Sequence, residues 1–453
     1  MQLLKLPRRA FSHLRTTRLS QPATWRVAFL GMLALVLIFT SVKYAAKVMK
    51  PSDTGEQSRS AFLRWRTMIH DVFAGTNIYV GKNEYPNPPV MAIILRPFAE
   101  LPPVVGAMTW FYAKVLMAVL AAVWTFRLVA PSVPDAAKAA AILLTLPALM
   151  GDLTHNNVNI FILFLLSGCL ELYRRGHDLG SGLVLGLAIA CKVTPLLFLA
   201  YFIWKRAGRV VAGCVIGLVL WLAIVPGAVF GMERNQELLT DWYKLMIQRP
   251  LLKGEITSEH PNQAIVGFVY RLGTHSPSYI DYVETPAGDI PTPAAYHNIF
   301  DMGRPAAWVV VKLATLAFAL GVVLVCRTPR DERSGWRFAA ECGLIVLGML
   351  LLSERTWKHH AVILLIPATA LAWCAMFELP RRLRQVITGV LITSALLMML
   401  PGLFGSRAGD LALVYGTHTL AFALLTGATV AVLVCGLRQP DGSRTESLGE
   451  ISA

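Results

Sequence analysis

Long apolar blocks separated by short basic clusters set the pattern of this chain. Runs near 27–48, 104–127, 138–150, 157–173, 209–230, 306–326, 338–352, 359–377, 385–404 and 411–436 read as membrane-crossing helices. A further apolar stretch, 180–204, is interrupted by Lys192-Val193-Thr194-Pro195. Proline disfavours helix in the residue before it, so the pattern predicts a break at Thr194.

The basic clusters decide how that stretch runs. They fall at Arg8–Arg26, Arg174-Arg175, Lys205-Arg206-Arg209, Arg327–Arg337, Arg381-Arg382-Arg384 and Arg438–Arg444. All lie on one face if 180–204 enters and returns as two short helices. A single crossing would put Lys205-Arg206 outside and invert every later loop. Positive loops stay in the cytoplasm, so a hairpin with Lys192 at its apex is expected. The reading is an all-α polytopic membrane protein with about 10–12 transmembrane helices, in one domain over 27–436. A basic segment, 1–26, and a tail, 437–453, are expected in the cytoplasm, with the plasma (inner) membrane as the location. The run from Val27 to Val42 reads as a retained signal anchor.

Two long loops then face away from the cytoplasm, about 49–103 and 231–305, with short turns at Gly151–Asn157 and Ser353–His360. In the first loop Phe62, Trp65, Ile69 and Phe73 have helical spacing and predict an amphipathic interfacial helix ending at Gly75. Tyr85-Pro86-Asn87-Pro88-Pro89 forbids regular helix, and a second short helix is expected over Val90–Glu100. In the second loop His260-Pro261-Asn262-Gln263 reads as a junction into an apolar helix.

Composition supports this picture. The chain is 55% hydrophobic and 15% charged over 453 residues, against about a quarter charged in a soluble domain. The formal charge of +15 sits mostly in the loop clusters, a topological rather than a nucleic-acid signal. Seven cysteines lie in or beside apolar runs without CxxC spacing, so neither a disulfide framework nor a zinc site is expected. Gly180, Gly182 and Gly186 follow no strand and point to close helix packing, not dinucleotide binding.

Ionisable groups at membrane depth need partners or water, and the exceptions are candidates for chemistry. Lys192, beside the proline break, is placed to hold a phosphate; snorkelling or a structural ion pair is the alternative. The turn Arg355, Lys358, His359, His360 concentrates cationic or donating groups on the outer side, against the positive-inside rule. An anionic ligand such as a lipid-linked phosphate accounts for it, and headgroup contact is the alternative. No matched carboxylates suggest a metal there. His155, Asn156 and Asn159 can bind sugar hydroxyls or cap a helix. Asn262 and Gln263 can do the same or serve turn geometry alone. Asp53 can take a proton from an attacking hydroxyl, or cap a helix with Glu56 in capping-box spacing. Asp71 is a second candidate base.

The ordered set Asp53, Gly75-Thr76-Asn77-Ile78-Tyr79, Tyr85–Pro89 with Arg96-Pro97-Phe98, Asn156–Asn159, Gly182 to Gly186 with Lys192–Pro195, Pro261-Asn262-Gln263 and Ser353–His360 resembles the polyprenol-phosphate-mannose-dependent α-1,2-mannosyltransferases of the GT-C superfamily. The resemblance implies a GT-C-like bundle and inverting transfer of mannose or a similar sugar from a polyprenyl-phosphate donor. It implies a glycolipid or glycan acceptor hydroxyl on the extracytoplasmic face. It assigns Asp53 as general base, and Lys192, Arg355, Lys358, His359 and His360 to the donor phosphate or sugar. Tyr79 and Tyr85 join His155, Asn156, Asn159, Asn262 and Gln263 as acceptor or sugar contacts. No cofactor and no nucleic acid are implied. A transporter or flippase for a lipid-linked or anionic solute would use the same cavity and cations; the absence of an inverted repeat weighs against it.

Overall fold

A computed structural model describes residues 22–50, 60–81, 85–249, 256–285, 288–403 and 405–437. Among these, eight helices are long and apolar enough to cross a membrane. The clearest lipid requirement comes from Gly303–Val325, only 6% of whose apolar window is buried by protein. Leu313, Leu316 and Leu320 there have no protein cover and need hydrocarbon.

In chain order, α1 (Pro22–Met49) rises through the bundle. Two short helices follow, α2 (Ala61–Ala74) and α3 (Pro89–Ala99), at the positions the spacing predicts. Helix α2 buries Phe62, Trp65 and Ile69 and stops at Gly75, whose φ of 109° suits a residue without a Cβ. The long α4 (Pro103–Val129) and α5 (Asp135–His155) lead to the shorter α6 (Asn159–Arg174). Next come α7 (Asp178–Cys191) and α8 (Leu196–Trp204), then α9 (Gly208–Phe230).

The expected hairpin is present in α7 and α8. Helices α7 and α9 run parallel, because Gly182 meets Val210 and Gly213 while Gly186 meets Cys214 and Gly217. A Cβ on Gly182 would lie 2.1 Å from the Val210 carbonyl oxygen, so glycine is what permits this approach. Two parallel helices in sequence need a return between them, and α8 supplies it. The start of α7 and the end of α8 share one neighbour, the segment 327–333. Arg333 pairs with Asp178, while Lys205 Nζ donates to the Thr328 carbonyl at 2.5 Å. Lys205 also pairs with Glu341 at 2.6 Å.

The second loop holds α10 (Met232–Tyr243), α11 (Ile265–Gly273) and a two-stranded antiparallel hairpin, β1 (Pro277–Thr285) with β2 (Gly288–Tyr296). The hairpin is an addition to the expected all-helical reading. Pro291 and Pro293 argue against a strand inside a sheet, but in a two-stranded ribbon both strands are edges and tolerate them. The chain then continues through α12 (Gly303–Val325), α13 (Trp336–Leu351), a 3-10 helix (Lys358–Leu364), α14 (Leu365–Phe377), α15 (Arg381–Leu403), α16 (Gly405–Val414) and α17 (Thr417–Leu437).

These helices sort into two ends. Arg26 with Asp135, Arg333 with Asp178, Gly335 with Leu128, and Arg337 with Gly436 define the basic end. Lys47 donating to Thr154, Tyr44 meeting Asn156, and the 3-10 helix beside α5 and α6 define the other. Lys192, His155, Asn156, Asn159, His359 and His360, singled out in the sequence, lie at or near this second end.

Candidate functional site

The site is built where α5 ends, α6 begins, α7 breaks and the 3-10 helix turns. Asn156 caps α5 in the left-handed region, φ 58°, with its Nδ2 donating to the Tyr44 hydroxyl at 2.6 Å and the Ala107 carbonyl at 3.1 Å. That sharp exit lets α6 start three residues later, so Asp152 and Asn159 approach each other. Asn159 Nδ2 donates to Asp152 Oδ1 at 2.9 Å. Its Oδ1 is thereby presented to Lys192 Nζ, 2.6 Å away.

Asp152 pairs with a cation that sequence reasoning missed. Lys114 of α4 is wholly buried, with Nζ 3.1 Å from Asp152 Oδ2 and 2.9 Å from the carbonyls of Asp152 and Asn157. The signal was present: a lone lysine inside the 104–127 apolar run, and an acid in the 151–157 turn. An ionisable residue at that depth calls for a partner. Because Lys114 neutralises Asp152, Lys192 faces a neutral amide instead of a carboxylate. An ammonium carries three donors, and Lys192 uses one among the described residues. Together with Asn159, Thr194, His360 and Ile363 it lines a small cleft.

The histidines follow from the 3-10 turn. Asn157 Oδ1 accepts from the Val158 N–H, so its Nδ2 faces His359 Nε2 at 3.2 Å and that nitrogen is the acceptor. The His359 ring stacks on His155 with centroids 4.9 Å apart, and Trp357 closes on both rings edge-on. His360 Nδ1 accepts from the Trp357 N–H at 3.3 Å, which places its ring proton on Nε2. Lys192, Asn159, His360, His359 and His155 thus form one connected group.

Other candidates lie elsewhere. Lys358 lines a different cleft from Lys192. Arg355 is half-exposed, donating to Thr257 Oγ1 at 2.5 Å and lying 3.7 Å from Glu354. Burial raises the Glu354 carboxyl above its ordinary range.

Asn262 and Gln263 act as latches. Asn262 donates to the carbonyls of Thr257 and Glu354 and accepts from the Ala264 and Thr356 N–H groups. Gln263 donates to His260 and Leu413 and accepts from His418 and Thr419. Each amide has its full complement of partners, so a sugar hydroxyl would have to displace one.

Tyr79 and Tyr85 pack together, ring centroids 6.2 Å apart, and burial raises both phenols so that they stay neutral. The Tyr79 hydroxyl donates to the Asn87 carbonyl, and the Tyr85 hydroxyl is buried. Asp71 is exposed on α2. Asp53 lies outside the described residues. Among the described residues no group of three or more metal-ligating side chains comes together.

Comparison with known proteins bears on this arrangement. No curated protein matches the chain. Two solved structures are similar, both of ArnT from Cupriavidus metallidurans, one bound to undecaprenyl phosphate and one in the apo state. Each is 12% identical, over 90% of this chain and 78% of the other, with TM-scores of 0.37 and 0.40 respectively. The model of glycosyltransferase family 87 matches residues 85–353, more than half of the chain and most of the group built around Lys192. This membrane protein belongs to glycosyltransferase family 87.

Proposed function

We propose that the chain transfers a sugar, mannose or a close relative, from a polyprenyl-phosphate donor to an acceptor hydroxyl on the extracytoplasmic face, with inversion. The observation that carries this reading is Lys192: a cation in a helix break, its nearest acid already paired to Lys114, open to a cleft it shares with His360. Such a cation favours the anion that gains charge as the sugar–phosphate bond breaks. His360 supplies a further donor from the same cleft.

The acceptor hydroxyl must lose a proton as its oxygen attacks the anomeric carbon. Asp53 is the base in this reading. The donor's leaving group departs as polyprenyl phosphate, so no separate acid is required to protonate it. The undecaprenyl phosphate bound by ArnT is in keeping with such a donor. The basic end carries the clusters that cytoplasmic loops carry, which supports a cleft on the opposite side of the membrane.

The test is transfer from a radiolabelled polyprenyl-phosphate sugar by the purified chain. Formation of free polyprenyl phosphate together with a glycosylated product supports the enzyme. Movement of intact donor across a vesicle without chemistry supports the transporter reading. Near-normal turnover by well-folded Asp53→Asn removes Asp53 as base.

A further inference from the structure

The 3-10 helix Lys358–Leu364 has three faces, because it has three residues per turn and side chains at i and i+3 align. His360 and Ile363 form one face and line the Lys192 cleft. His359 and Val362 form the second and are buried. Lys358 and Ala361 form the third, and they line another cleft with Leu144, Pro147, Met398 and His418. This second space lies between α5, α15, α17 and the 3-10 helix.

Two observations mark it as a ligand site. Lys358 is exposed and makes no ion pair or hydrogen bond with any described residue. His418 is 4% exposed, yet its Nδ1 is buried without a partner among the described residues. A buried polar nitrogen normally has a partner, and a missing one calls for a ligand or water. A cation and a ring nitrogen together suit an anion with hydrogen-bonding oxygens. The remaining wall is apolar. Leu143, Leu396, Met399 and Leu420, on the same helices, are exposed and face the hydrocarbon in a membrane-spanning bundle. An anionic group with an apolar tail satisfies both surfaces.

We infer that the Lys358–His418 cleft is a second binding site for a phosphate carried on a lipid, distinct from the donor-phosphate site at Lys192. The distinction rests on the function proposed above. Two sources share this chemistry: polyprenyl phosphate released after transfer, and the phosphate of a lipid acceptor.

Native mass spectrometry of the full chain in phosphatidylcholine nanodiscs tests it. The probes are a short polyprenyl monophosphate, phosphatidylglycerol and inorganic phosphate. The expected result is two polyprenyl phosphates per chain. Lys358→Met and His418→Phe each weaken one by roughly tenfold or more, the effect of losing a charge-assisted contact. Lys358→Arg retains both, which separates charge from folding. Lys192→Met removes the other copy. Displacement of the Lys358-dependent copy by phosphatidylglycerol assigns the site to a phospholipid acceptor, and resistance assigns it to the released product. A single copy in the unaltered chain, or two equally tight copies in Lys358→Met, overturns the proposal, as does inorganic phosphate displacing the copy by itself. Retention of both copies in Lys192→Met, with one of them still dependent on Lys358, would instead sink the donor-site assignment and leave the second site standing.

Discussion

Lys114 and Asp152 set the electrostatics of the site although neither faces the cleft. Removing one partner of such a buried pair leaves an unpaired charge, and typically costs about 3–5 kcal/mol. Lys114→Met alone and Asp152→Asn alone should therefore each lower the detergent-solubilised melting temperature clearly. Lys114→Met combined with Asp152→Leu should recover most of it. Activity should not return with stability, because Asp152 also orients Asn159 toward Lys192. A double variant as active as the parent would show that this relay has no part in transfer. Lys192→Met should lower kcat by roughly 100-fold or more, the scale of losing one group that stabilises developing charge, with folding intact. The sequence exposes Lys192 because proline marks the break beside it. It hides the pairing of Lys114 with Asp152 because the partners are far apart in the chain, and neither residue alone identifies the other. Asn262 and Gln263 show the reverse limit: their residue types suit sugar recognition, and only the carbonyls around them reveal latches.

At the scale of elements, the α7–α8 hairpin positions Lys192, and the glycines hold the hairpin in place. Gly182→Ala places a methyl group against main chain, where neither helix can yield without moving the other. Overpacking of this kind typically costs about 1–3 kcal/mol. Since α7 ends at Lys192, the expected outcome is a lower melting temperature and weaker donor binding together. Gly180→Ala is the control: the nearest atom to its added methyl is a Leu172 side-chain carbon at 3.8 Å, an ordinary contact. Equal tolerance of both substitutions would contradict the packing account. The hairpin was legible in the sequence because charge bookkeeping left one consistent path. The β1–β2 ribbon was not, because its prolines mask the strand signal. The three faces of the 3-10 helix were not legible either, since His359 and His360 look equivalent until the turn's period assigns them to different surfaces.

At the scale of the whole molecule, the two ends should face opposite compartments. A membrane-impermeant maleimide applied to intact spheroplasts should label Arg355→Cys, and should reach Arg330→Cys only after permeabilisation. The opposite pattern would place the cleft in the cytoplasm. The native cysteines give little background, six being buried and Cys435 partly so. Hydropathy, charge placement and the order of the motifs made the bundle readable. What they could not give was which cations share a pocket, because that depends on where each turn aims its side chains. The most direct measurement is a density map of the chain with bound polyprenyl phosphate. The account predicts phosphate oxygens within hydrogen-bond reach of Lys192 Nζ, in the cleft that His360 lines. A phosphate seated away from Lys192, with that cleft empty at saturating ligand, would contradict it.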